Sequence, residues 1–143
     1  MPKVDFYVLS DAGLHAQQRY ACRLAEQAFE AGTRIFLRTP SPVESASLDE
    51  LLWSFSDRSF LPHEIAGSSG DPHPLVAAVI GHGLAPAGYR SLLINTARDL
   101  PSDAGEFEQI AEVVDADPER KQQARERFKQ YRDRGWPLQT HNV

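Results

Sequence analysis

The chain has 143 residues, 41% apolar and 24% charged, with a single cysteine and a net charge of -5. That length suits one domain, residues 1–143, with enough apolar surface to fold without disulfides, and the lone Cys22 excludes an internal disulfide. No stretch approaches the ~20 apolar residues of a membrane span, and the opening MPKVDFYVLSDAG is too short for a signal segment, so a cytoplasmic protein is expected. The acidic balance argues against wholesale nucleic-acid binding, which requires a basic footprint.

Val4-Asp5-Phe6-Tyr7-Val8-Leu9 has the apolar density of a buried strand, and Ser10-Asp11-Ala12-Gly13 supplies turn chemistry after it. From Leu14 to Ala31, Tyr20, Leu24, Ala28 and Ala31 recur at helical spacing, with Gly32 placed as a terminator. The apolar run Arg34-Ile35-Phe36-Leu37-Arg38 follows, completing a β-α-β unit for which a parallel pair is predicted. Pro40 and Pro42 stop that strand, and Ser45 or Ser47 suits the cap of a helix whose apolar side is Leu48, Leu51, Leu52 and Phe55. The Gly67–Gly88 stretch is loop-rich, and Leu75 to Ile80 within it fits a short strand or a short helix. A strand is predicted over Tyr89 to Thr96, another over Ile110 to Asp115, and a final helix from Pro118 to about Arg134. This order implies an α/β protein of three α/β/α layers around a mainly parallel sheet.

The turn after the first strand is where a nucleotide-binding α/β protein holds phosphate, yet Ser10-Asp11-Ala12-Gly13-Leu14-His15 has one glycine and no P-loop lysine. The topology is therefore read as nucleotide-binding-like without a nucleotide site, and Gly81-His82-Gly83 is read as loop. His15, His63, His73, His82 and His141 show no zinc spacing, and no GxSxG elbow supports a nucleophile. Cys22 beside Tyr20 and Leu24 reads as an inert core thiol. No cofactor, metal or catalytic residue is expected.

Two segments carry more information. Between Glu119 and Arg134 there are seven Lys or Arg against three acids, a local +4 on a chain otherwise at -9. On a helix, Lys121, Arg125, Phe128 and Arg132 fall in one stripe flanked by Lys129, with Glu126 and Asp133 expected to point elsewhere. Such a face suits an acidic peptide with an apolar anchor, and single-stranded nucleic acid almost as well; Phe128 fits the core equally, with arginines snorkelling over it. The second segment runs Leu52-Trp53-Ser54-Phe55-Ser56-Asp57-Arg58-Ser59-Phe60-Leu61-Pro62-His63. Its three large aromatics suit either a protein-binding patch or, for Trp53 and Phe55, a cover for the sheet.

Through VDFYVL, LLWSFSDRSFLPHEIAG and KQQARERFKQYRDRGWPLQT the whole chain resembles the chi family, accessory subunits of bacterial DNA polymerase III. The resemblance implies a non-catalytic adaptor that binds the acidic, phenylalanine-ended tail of single-stranded DNA-binding protein (SSB) and pairs with the psi subunit of the clamp loader. The family's tail-binding residues fall on Lys121, Arg125, Phe128 and Lys129, where the family often carries Tyr in place of Phe128. Its psi-facing patch falls on Trp53, Phe60, Leu61, Pro62 and His63.

Overall fold

The computed structural model describes residues 1–54, 61–66 and 72–143. Among these residues seven strands form one parallel sheet: β1 (Lys3–Val8), β2 (Ile35–Arg38), β3 (His63–Ile65), β4 (Ala78–Gly81), β5 (Leu92–Asn95), β6 (Gln109–Val114) and β7 (Leu138–Asn142), in the spatial order β3-β4-β2-β5-β6-β1-β7. Helices α1 (Leu14–Glu30) and α2 (Pro42–Ser54) cover one face, and α3 (Pro118–Asp133) covers the other. The three-layer reading of the sequence holds.

Alternation along the strands sorts the two cores. Ile35 and Leu37 join Ala78, Ile80, Ile94, Ala111 and Val113 under α1 and α2, whereas Val4, Phe6, Phe36, Val79, Leu93 and Ile110 pack toward α3. All four residues of β2 and of β4 are buried, as strands covered on both faces must be. Cys22 lies in the α1 core, where burial pushes its thiol up to about 12.

Several details differ from expectation. β1 and β2 are parallel but do not pair; β5 and β6 lie between them, because the later part of the chain inserts into the middle of the sheet. The cap of α2 is Ser41, whose Oγ accepts the Glu44 N–H; Ser45 is instead buried at 2.5 Å from the Thr39 hydroxyl, and Ser47 donates to Gln18. The undecided Leu75–Ile80 segment resolves as β4 beginning at Ala78, and the strand predicted from Tyr89 is confined to Leu92–Asn95. Strands β3 and β7 were not anticipated.

One register row positions the rest. Gly81, Arg38, Asn95, Glu112, Phe6 and Thr140 are successive cross-strand neighbours on the α3 face, running from β4 to the edge strand β7.

Candidate functional site

Helix α3 starts sharply: Pro118 occupies the first turn and the Asp117 carboxylate accepts the Arg120 N–H at 2.9 Å. Its inward side carries Arg120, Ala124, Arg127 and Tyr131, the i, i+4, i+7, i+11 set one residue before the basic stripe. The stripe is thus rotated by about 100° from the core and lies along the helix flank. Only Ala124 on the inward side is an ordinary core residue. Arg127 and Tyr131 are held by Glu112, a fully buried carboxylate in the middle of β6. Arg127 Nε donates to Glu112 at 3.1 Å, the Tyr131 hydroxyl at 2.7 Å and Asn95 Nδ2 to both oxygens at 3.1 Å. Arg38 continues the network to Asn95 and the Asp99 carbonyl. Burial, reinforced by the Glu112 charge, raises the Tyr131 phenol well above its ordinary range, so it remains a donor at any physiological pH.

At the N-terminal end, Arg120 grips Asp115, which also accepts the Gly13 N–H at 2.6 Å and so ties the turn after β1 to α3. Burial opposes ionisation of Asp115, but the Arg120 and Gly13 hydrogen bonds outweigh it and hold the carboxyl below the usual carboxylate range. A folded-state pKa below the unfolded one gives stability that is fully present above about pH 3.9 and lost as pH falls through the folded value. Asp115→Asn is expected to lower stability near neutral pH by about 3 kcal/mol, the deficit shrinking below about pH 4. Urea unfolding of both proteins across pH 2.5–7 checks this; a constant deficit would mean that the hydrogen-bond geometry, not the charge, matters.

The stripe itself is at the surface. Arg125, Lys129 and Arg132 are exposed, and Lys121 and Phe128 are half-buried. Phe128 lays its ring against Phe6, centroids 5.4 Å apart, and its remaining surface faces outward between the cations. It thus packs on the α3-side core without being fully buried. Two acids are nearer than expected: Glu126 approaches Lys129 at 3.9 Å and Asp133 approaches Arg132 at 3.6 Å, whereas Arg125 donates to the neutral Gln122. Of the seven cations in this segment, Arg120 and Arg127 are neutralised by Asp115 and Glu112, acids outside it. Five cations against three acids remain for solvent.

The aromatic segment at the end of α2 is divided. Trp53 is 58% exposed, so it does not cover the sheet, and its ring centroid lies 4.5 Å from that of His63. His63 is buried, with Nδ1 at 2.7 Å from the Leu61 carbonyl and Nε2 at 3.3 Å from the Asp49 carboxylate. Leu61 belongs to the α1 core and Pro62 is half-buried, its carbonyl accepting the Ala77 and Ala78 N–H groups. Phe55 and Phe60 lie outside the described residues. The segment thus presents Trp53 and part of Pro62, with Leu61 and His63 beneath them.

Sequence reasoning missed the Glu112 and Asp115 networks. The available signal was Glu112 itself: a carboxylate inside Ile110-Ala111-Glu112-Val113-Val114 on a strand buried on both faces needs a partner. Among the described residues no group of three or more His, Cys, Asp or Glu converges as a metal site would, and no helix is long and apolar enough to cross a membrane.

Fold and site define a parallel α/β protein whose last helix is anchored by buried charge and presents a basic, aromatic flank. Comparison with known sequences makes the assignment specific: residues 1–139 match the family described as DNA polymerase III chi subunit, HolC. The chain belongs to that family, whose members are accessory subunits in DNA replication. The DNA polymerase III subunit chi of Pseudomonas aeruginosa is 36% identical over 143 residues, covering 100% of this chain and 98% of that protein. That of Haemophilus influenzae is 33% identical over 97% of this chain and 96% of its own length. The Escherichia coli protein is 28% identical over 98% and 97%.

Proposed function

We propose that this chain is a non-catalytic accessory subunit of DNA polymerase III, working in the cytoplasm, that joins the clamp loader to SSB by binding the acidic C-terminal tail of SSB. The observation that carries the reading is the α3 flank, where Phe128 is half-buried on Phe6 with Lys121, Arg125, Lys129 and Arg132 around it. A flat aromatic floor at a core edge accepts the ring of a terminal phenylalanine, while the cations attract the preceding acids and the terminal carboxylate. Each contact is modest. Many tails displayed along one coated strand raise the effective concentration, so no single tight interaction is required.

The psi subunit is assigned to the opposite end of the sheet, where exposed Trp53 and half-buried Pro62 sit over Leu61 and His63 next to the edge strand β3. An indole with more than half its surface in water is the kind of anchor that partner burial stabilises. Phe60 belongs to the same assignment by its place in the sequence. Phe128 packs on β1, next to the edge strand β7, whereas Trp53 lies beside the other edge strand, β3, a separation that suits a bridge between two partners.

Calorimetric titration with a peptide of acidic residues ending in Pro-Phe, beside the same peptide lacking its final Phe, tests the tail assignment. Binding that disappears on truncation and weakens as salt rises is expected. Binding of a single-stranded oligonucleotide with no binding of either peptide would overturn it in favour of direct nucleic-acid recognition, for which Phe128 among cations also has the right chemistry.

A further inference from the structure

The basic flank of α3 does not stand alone. Beyond Phe6 in the register row lies Thr140 on β7, and β7 is an edge strand with no neighbour on its outer side among the described residues. Parallel pairing at this register, with the Val4 N–H donating to the Pro137 carbonyl and the Val143 N–H to the Val8 carbonyl, turns the backbone of Gln139 and His141 toward β1. The N–H groups of Leu138, Thr140 and Asn142 therefore point outward, and among the described residues none of them has a hydrogen-bond acceptor. Gln139, Thr140 and Asn142 are exposed, so this edge carries none of the covering loop or helix that usually protects one.

Both faces beside this edge are built to meet side chains. On the α3 side stand Phe128 and the stripe cations. On the α1 side His141 stacks on Tyr7, centroids 4.9 Å apart, and Tyr7 meets Tyr20 at 5.5 Å. There a groove of about 1090 Å³ runs along α1 past Asp11, His15, Arg19, Tyr20 and Arg23 to Val143, with Glu26 and Glu30 toward the other end of the helix. An occupant lying along β7 would place alternate side chains against these two surfaces, and cations stand on both.

We infer that β7 is the docking edge for an extended acidic peptide, which adds to the sheet as an eighth strand while its apolar end rests on Phe128. This deepens the tail-binding reading above and rests on it: the occupant is the same tail, recognised through its backbone as well as its charges. Main-chain hydrogen bonds supply part of the affinity and the flanking surfaces supply the selection. A charged surface acting without the edge would instead hold the tail in no fixed conformation.

The test is amide hydrogen exchange on the full chain, read residue by residue by NMR, with and without a saturating peptide of acidic residues ending in Pro-Phe. Exchange at the outward amides of the alternating set Leu138, Thr140 and Asn142 is expected to slow at least tenfold, while Gln139 and His141, already bonded to β1, change little. Peptides N-methylated at single backbone positions are expected to lose affinity at every second position only. A peptide that binds by calorimetry yet leaves the three amides unchanged and tolerates N-methylation throughout would overturn the strand addition and leave the α3 assignment standing. A peptide that does not bind at all would remove the tail-binding reading, and this inference with it.

Discussion

Glu112→Ala is expected to destabilise the protein by about 3–5 kcal/mol, because it removes the one carboxylate that, among the described residues, pairs with the buried Arg127 guanidinium, leaving it the Arg98 carbonyl. Arg127 is 4% exposed, so its charge cannot turn to water when the carboxylate is deleted. The Tyr131 hydroxyl and the Asn95 amide lose an acceptor in the same change. Glu112→Gln should cost less, since an amide oxygen still accepts from Tyr131, although its NH2 cannot accept from Arg127 as the carboxylate does. The combined replacement Glu112→Leu, Arg127→Met, Tyr131→Phe is the informative control. A well-packed apolar substitute for a buried ion pair is often neutral or better, so it should recover most of the loss. Urea unfolding midpoints with unchanged slopes would measure each step. A loss below about 1 kcal/mol for Glu112→Ala would mean that water or another acceptor reaches the site, and that the network does not anchor α3.

The same network explains what the sequence concealed. The strands β1, β2, β5 and β6 were legible because each is an apolar run, and α3 was legible because Pro118 marks its start and its cations fall at helical spacing. β7 escaped notice because Leu138-Gln139-Thr140-His141-Asn142 has one apolar residue; an edge strand half in water carries no burial signal. β3 is three residues long, too short for any periodicity. The pairing of β1 with β6 and not β2 is a property of distant segments, and no local pattern encodes it. At the candidate site the stripe was read from spacing alone, yet the inward set shifted by one residue has the same spacing and three cations or polar groups of its own. Periodicity finds two adjacent faces of α3; only the location of Glu112 and Asp115 in the sheet decides which faces inward.

Arg125→Ala should weaken tail binding about tenfold, the effect of losing one charge-assisted hydrogen bond, and Lys121→Ala about threefold. The difference rests on geometry. Arg125 is exposed and, among the described residues, its guanidinium is engaged only by neutral Gln122 at 3.3 Å, so it is available as a planar fork for a carboxylate, which an ammonium cannot match. Lys129 and Arg132 already have Glu126 and Asp133 near them, and their alanine variants should cost less than Arg125→Ala. Equal losses at Arg125 and Lys121 would count against bidentate pairing. Phe128 separates affinity from stability. Phe128→Tyr should leave the ring on Phe6 and bind as well or slightly better, whereas Phe128→Ala should lose about 2 kcal/mol of stability, roughly half the cost of a fully buried ring, together with most tail affinity. Phe128→Leu decides between the two contributions: it keeps the apolar contact with Phe6 but not the flat floor, so stability should return while the tail remains weakly held. Restoration of both by leucine would mean that Phe128 acts in the core alone, and that the cations bind the tail without an aromatic seat.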